Sequence, residues 1–253
     1  MLIHKVRGLI MPKIREIAAI LRAAIERGEY PPGTTIPREV DLADRFEVNR
    51  STVRGAIALL RAEGLVAPTK RRGTVVRHRA RIVLPIARYA DATPAGGPWE
   101  DACAQQGLDG RTDVIDVSER PADETTAHAL GIQPGDTVIH RLNHMTVDGH
   151  VVQWQETWLP HSIAAGTPLA APDRVAGGIY RGLADADHPP SVADEVVTGR
   201  MPTPDEAETL GLDQGSPVLD IRRTTRDRGG RAVVHTHIVI AADRVSRGYQ
   251  QVL

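Results

Sequence analysis

Ile14, Ile17, Ala18, Leu21, Ala24 and Ile25 recur at spacings of three and four, which places them on one stripe of a helix ending near Gly28. Tyr30-Pro-Pro-Gly-Thr breaks that pattern, and Pro37 suits the first turn of a second helix whose apolar face is Val40, Leu42, Ala43 and Phe46. Asn49 is a natural N-cap for a third helix. In that helix Val53, Ala56, Ile57 and Leu60 face inward, while Arg50, Ser51, Thr52 and Arg54 crowd the other side of its first turns. Gly64-Leu65-Val66 ends the helix and starts a strand, Lys70-Arg71-Arg72-Gly73 is a turn, and Thr74-Val75-Val76-Arg77 alternates as the return strand.

The remainder of the chain carries an internal echo. Leu130-Gly-Ile-Gln-Pro-Gly-Asp-Thr-Val-Ile reappears as Leu210-Gly-Leu-Asp-Gln-Gly-Ser-Pro-Val-Leu. A helical stretch precedes each copy, Asp123 to Leu130 and Thr203 to Leu210. A strand, a turn and a second strand follow, the second strands being Val151 to Leu159 and Ala232 to Ile240. Two copies are too few for a solenoid, so the expectation is one antiparallel sheet built from two related halves with helices against it, an α+β domain.

Charge separates the same two parts. The net charge of -1 conceals 16 Lys+Arg against 8 Asp+Glu in residues 1–80, and 15 against 24 in residues 81–253. A small basic domain holds a polyanion through phosphate contacts, whereas an acidic remainder repels one and suits another task. His78-Arg-Ala-Arg reads as a hinge, giving a domain over 1–77, a linker over 78–81 and a second domain over 82–253. Cys103 is the only cysteine, so no disulfide framework or cysteine-rich metal site is expected, and a cytoplasmic setting is. No run approaches the roughly 20 apolar residues that span a bilayer, and no membrane is implied.

Helix, turn, cation-headed helix and basic hairpin together form the order of a winged helix-turn-helix. Arginine pairs bidentately with guanine O6 and N7, and Ser or Thr hydroxyls meet base edges or phosphates. Each feature has a plainer reading: the hairpin cations as solvated loop charges, and Phe46, the only phenylalanine, as a core plug rather than a base-stacking ring. Catalysis finds little support. His235-Thr-His237, Ser162 and Cys103 lack partners in any metal or nucleophile motif. No lysine follows Lys70, which excludes Schiff-base chemistry in residues 81–253, and no catalytic residue, metal or cofactor is expected. An architectural DNA-binding protein without ligand control is the alternative, weakened by the acidic second domain.

Pro37-Arg-Glu-Val-Asp-Leu-Ala, Val48-Asn-Arg-Ser-Thr-Val-Arg, Leu60-Arg-Ala-Glu-Gly-Leu-Val and Arg72-Gly-Thr-Val-Val resemble successive signatures of the GntR family of bacterial transcription regulators. The resemblance implies a homodimer on a short palindromic double-stranded DNA operator. It assigns DNA contacts to Arg38, Arg50, Ser51, Thr52, Arg54, Lys70, Arg71, Arg72 and Gly73. Val40 stands where relatives often carry arginine, and Arg38 where a small hydroxyl residue is usual. The repeat, together with Ala242-Asp-Arg, resembles the UTRA effector-binding domain of the HutC subfamily. That implies a small-molecule pocket at the sheet, with Arg141, Asn143, Glu156, Glu195 and His237 as candidates, dimer contacts, and repression relieved by the effector. Arg141 and Glu156 could equally form a cross-strand ion pair on a solvated face. Trp154 and Trp158 share a strand face, as core or with one walling the pocket. Relatives that bind sugar phosphates hold the phosphate near the position of Pro98-Trp99-Glu100-Asp101. The two carboxylates here, and Asn143 in place of a cation, imply an effector that is not a sugar phosphate but neutral, cationic or amphipathic.

Overall fold

The computed structural model describes residues 3–69, 73–77, 82–85, 97–212 and 215–249, with side chains described from Lys13 onward except at 84 and 85. The chain divides into two compact units, residues 1–80 and 81–253. In the first, α1 (Ile3–Glu26), α2 (Glu39–Arg45) and α3 (Arg50–Ala62) precede a hairpin of β1 (Val66–Thr69) and β2 (Gly73–Val76). Ile17, Ala18 and Leu21 of α1 close over Leu42 and Ala43 of α2, Val53, Ala56, Ile57 and Leu60 of α3, and Val66 and Val76 of the hairpin. Phe46 packs half-buried against this core, the plug expected of it. Gly55 lets α1 and α3 approach closely, since a Cβ there would lie 2.9 Å from Ile14 Cδ1.

Two expectations shift. The helical backbone of α1 starts at Ile3, well ahead of the apolar stripe and running through Pro12. Pro37 lies before α2 instead of in its first turn, because residues 33–36 are committed to β2. Gly33 N–H donates to Val76 O, Val76 N–H to Thr34 O, and Ile36 N–H to Thr74 O. Only after that extended segment does the chain turn, with Arg38 as an N-cap that makes no side-chain capping bond.

In the second unit β3 (Ile82–Pro85) is followed by α4 (Pro98–Ala104), β4 (Gly110–Pro121), α5 (Glu124–Leu130), β5 (Thr137–Val147) and β6 (His150–Pro160). Then come α6 (His161–Ala164), a 3-10 turn (Pro168–Ala170), α7 (Ile179–Asp185), β7 (Pro190–Arg200), α8 (Pro204–Thr209), β8 (Val218–Asp227), β9 (Ala232–Ala241) and β10 (Val245–Gly248). Six strands form one antiparallel sheet in the order β4-β5-β6-β9-β8-β7, three from each copy of the repeat, with Glu156 opposite His237 at the central seam. The expected two-half sheet is therefore present and larger than the echo suggested, since a helix and an edge strand, α4–β4 or α7–β7, precede each copy.

Both repeat helices begin on side-chain caps. Asp123 Oδ1 accepts from Thr126 N–H at 2.7 Å, and Thr203 forms a reciprocal capping box with Glu206. α5 then ends on Gly131, whose φ of 65° is left-handed. Leu130 with Val138 and Ala232, and Leu210 with Val218 and Val239, pack these segments against one sheet face. α4 covers the other through Trp99 and Cys103, and α6 and α7 through Ile163 and Leu183. β3 and β10, from the two ends of the unit, pair in parallel apart from the main sheet.

Candidate nucleic-acid interface and effector cavity

The start of α3 is organised by one atom. Asn49 Oδ1 accepts from Thr52 N–H at 2.8 Å, Thr52 Oγ1 at 2.8 Å and Ser51 Oγ at 2.6 Å. Thr52 is consequently buried at 3% exposure, with its hydroxyl spent on the cap, and departs from the DNA-facing position expected of it. Ser51 is exposed but turned toward the same oxygen, while Arg50 is exposed at the helix end. Arg54 is also exposed, and its Nε donates to Glu39 Oε2 of α2 at 2.7 Å. The first turn of α3 holds no acidic residue, so Arg50 adds positive charge to the positive end of the helix dipole. That arrangement is unfavourable alone and favourable beside phosphate. Arg38 is exposed at the start of α2, and Gly73 opens β2 at φ 88°. Lys70, Arg71 and Arg72 lie outside the described residues, as does the 78–81 linker.

In the second unit a cavity of about 100 Å³ lies on the sheet face beneath α4 and α7. Strand alternation puts Arg141, Asn143, Gln155, Thr157, Thr236 and Arg223 on its floor, and Pro98, Trp99, Glu100, Arg174, Ile179 and Tyr180 close it from above. Arg141 lines it while its charged end is engaged elsewhere. Its guanidinium donates to the carbonyls of Leu169, Ala171 and Asp173 at 2.8, 2.7 and 2.6 Å, bracketing that loop, and burial lowers its pKa. Asn143 is 6% exposed and its Oδ1 has no hydrogen-bond partner among the described residues. Glu195 stands behind Arg223, accepting from Arg223 Nε at 2.6 Å, Arg247 Nη2 at 2.9 Å and the Tyr249 hydroxyl. Partial desolvation and the hydrogen bond to the Glu195 carboxylate push that phenol above its ordinary pKa, although much of its ring stays exposed.

Glu100 sits at the mouth of α4. Its Oε1 accepts from Thr112 N–H at 2.9 Å and pairs with Arg174 Nη1 at 3.1 Å. A Cβ at Gly97, the N-cap of α4, would collide with Glu100 Oε2, so the carboxylate is folded back over its own helix start. Negative charge is already supplied there.

Glu156 and His237 do not join the cavity. Their neighbours Gln155, Thr157, Thr236 and Ile238 face it, and a step of one residue reverses the face of a strand. Arg141 and Glu156 are thus on opposite faces, which removes the ion-pair reading. Glu156 instead lies in a row across the sheet: Asp116 to His140 at 3.6 Å, His140 to Glu156 at 3.2 Å, Glu156 to His237 at 3.6 Å, His237 to Asp220 at 3.1 Å, and Asp220 to Arg200 at 2.6 Å. The hydrogen bond with His140 and the neighbouring His237 imidazole lower the Glu156 pKa to about 2. Trp154 packs edge-on against His237 at 4.9 Å and Trp158 stacks on His235 at 5.7 Å, so both tryptophans share the expected face, away from the cavity. Burial pushes the Cys103 thiol up to about 12, far from a nucleophile's range.

Comparison with known proteins matches a family to each unit of the chain. The UTRA domain family matches residues 105–246, and the bacterial regulatory proteins of the gntR family match residues 13–76. An uncharacterised HTH-type transcriptional regulator of Streptomyces coelicolor is 31% identical over 94% of this chain and 92% of its own. The chain belongs to the GntR family. The HTH-type transcriptional repressor PhnF of Mycolicibacterium smegmatis is 27% identical over 85% of this GntR chain and 83% of its own. A crystal structure of a protein assigned as a GntR-family transcriptional regulator superposes with a TM-score of 0.68 at 27% identity, covering 96% of this chain and 98% of that one.

As a GntR protein with a UTRA domain, the chain is a DNA-binding transcription regulator and not an enzyme. Among the described residues no group of three or more His, Cys, Asp and Glu could hold a metal ion, and no helix is long and apolar enough to cross a membrane. Sequence reasoning missed Gln155, Thr157, Arg174, Tyr180, Arg223 and Thr236 as cavity residues of the effector domain, and named Trp99 only within the segment where relatives hold a phosphate. A signal existed for three of them. Once Arg141 and Asn143 are placed together, the hairpin register puts Gln155 opposite Asn143 and Thr157 opposite Arg141, and Arg223 is the repeat counterpart of Asn143.

Proposed function

We propose that this GntR regulator is a homodimeric repressor that leaves a short palindromic operator when a small molecule fills the cavity beneath α4 and α7. The observation that carries the reading is the cavity itself, enclosed by sheet and helices and offering the unpartnered Asn143 Oδ1. A buried acceptor left without a donor costs free energy that a donating ligand recovers. Arg50 and Arg54 read or position the DNA from α3, Ser51 and Arg38 add polar and cationic contacts, and the 70–73 wing follows a groove or backbone. Arg141 and Glu195 shape the cavity indirectly, through the 169–173 loop and through Arg223. The Glu100 carboxylate supports an effector other than a sugar phosphate, because a phosphate at the start of α4 would meet it. The ligand releases the operator by binding the DNA-incompetent arrangement more tightly than the competent one.

Selection of bound fragments from random DNA tests the first half, with recovery of a short palindrome expected and recovery of no motif favouring an architectural protein. On that operator Arg50→Ala should weaken specific binding by about 1–3 kcal/mol and relax one base position. Calorimetry with hexose and hexosamine phosphates tests the second half, and tight binding of any of them would sink the effector reading.

A further inference from the structure

The charged groups that line the cavity are not equally matched. On its β4 side Glu100 pairs with Arg174 at 3.1 Å, and on its floor the Arg141 guanidinium is taken up by three backbone carbonyls. Arg223 reaches the floor from β8, with β5, β6 and β9 between it and β4. It and Arg247 of β10 donate to the same oxygen, Glu195 Oε2, at 2.6 and 2.9 Å. Two guanidiniums therefore share one carboxylate, and the side chains of Arg223, Arg247 and Glu195 are only 6%, 2% and 9% exposed. The Tyr249 phenol on Glu195 Oε1 adds no charge, since its proton is held more tightly than usual. Arg247 Nε and Nη1 are buried with no hydrogen-bond partner among the described residues. One positive charge is left over where water cannot offset it, and a buried charge without a counter-charge is costly.

We propose that this surplus is the seat of an anion, and that the cavity takes an amphipathic monocarboxylate whose carboxylate lies on Arg223 at the β8 end. The inference rests on the effector reading above and names the ligand class. A planar carboxylate suits a guanidinium, which can offer it parallel N–H groups. Its single charge balances a surplus of one. A phosphomonoester carries about -1.5 to -2 at neutral pH and would overshoot it, a neutral ligand would leave it standing, and a cation would add to it. The Tyr180 and Thr236 hydroxyls share the lining with Arg223, while Trp99, Val114, Met145 and Ile238 present an apolar surface to the rest of the ligand. Of the neutral, cationic and amphipathic classes that the sequence leaves open, the charge count selects the last. The carboxylates at the start of α4 keep an anion from that end of the cavity only.

The test uses the full chain and four probes with a common phenyl body: phenylacetate, phenylacetamide, phenyl phosphate and benzylammonium. Calorimetry should show phenylacetate binding about tenfold or more tightly than the amide, the phosphate binding less tightly than phenylacetate, and no binding of the ammonium. Arg247→Met removes the surplus charge, lies outside the cavity lining and leaves Arg223 and Glu195 as a matched pair. It should hold or raise the thermal midpoint and bring the acid-to-amide ratio close to one. Arg223→Met leaves Glu195 matched by Arg247 and should abolish phenylacetate binding. The monocarboxylate assignment is overturned if the amide binds as tightly as the acid, if the phosphate or the ammonium binds best, if none of the four binds, or if Arg247→Met leaves the acid-to-amide ratio intact. The effector reading is judged separately, by operator release. Phenylacetate that binds in the expected order but never changes operator affinity leaves the subsite standing and overturns the effector reading.

Discussion

On the cavity face of the effector sheet Asn143 keeps a carbonyl oxygen without a partner, and Arg141 spends its charge holding a loop of backbone carbonyls. One residue away on the same strands, His140 and Glu156 belong to a row in which acid, imidazole and guanidinium follow one another from edge to edge. Both faces are rich in polar groups, yet on one the charged groups pair with one another in a row and on the other an amide oxygen beside the cavity has no partner among the described residues. The difference teaches that polarity alone does not mark a binding face; an unmet hydrogen bond beside empty space does.

The comparison breaks most violently at Arg141. Arg141→Ala strands three carbonyls under α7 and empties a fully buried site, so a loss of about 3–5 kcal/mol is expected in urea unfolding, with collapse of the cavity. On the opposite face Glu156→Gln weakens the contacts with two histidines and should cost about 1–3 kcal/mol, while effector binding in the cavity stays as it was. Loss of that binding would show that the two faces are not independent.

Acid sharpens the same contrast. A carboxyl held near 2 in the folded chain stabilises it above the unfolded value of 4.5, and that stability disappears as pH falls from about 4.5 toward 2. Thermal unfolding of the native chain between pH 6 and 3 should therefore fall more steeply than that of Glu156→Gln. The smallest effect is expected to have the opposite sign. Asn143→Leu removes an unmet acceptor and fills apolar space, so it should leave stability unchanged or raise it by about 1 kcal/mol. The same variant should no longer release operator DNA in a mobility shift with effector. A large destabilisation by Asn143→Leu would mean that its oxygen is satisfied in solution.

Where the sequence carried its own local chemistry, it was readable. Asn49, Asp123 and Thr203 announce helix starts because a cap acts within three residues, and the Leu130 and Leu210 echoes announce the two-half sheet. Glu156 and His237 were misplaced because the face of a strand depends on a single residue of register, which only the pairing with β5 and β8 settles. Thr52 has the chemistry of a DNA contact and the position of a cap, and the second wins because Asn49 Oδ1 turns the hydroxyl inward. Pro37 looked like a helix opener until the pairing of residues 33–36 with β2 was seen to claim the residues before it. β4 and β7 left little trace: β7 is exposed along nearly all its length, and the alternation of β4 stops at its bulge after Val114.

The parallel pair β3·β10 ties the strand that follows residues 78–81 to the strand that carries Arg247. Arg247 grips Glu195, and Glu195 grips Arg223 on the cavity floor. In mechanical language this is a linkage with one soft joint: backbone hydrogen bonds are its rods, and the carboxylate shared by two guanidiniums is its pivot. A ligand that displaced Arg223 by a fraction of an ångström would turn that pivot and load the one strand through which the effector unit is covalently continuous with its DNA-binding head.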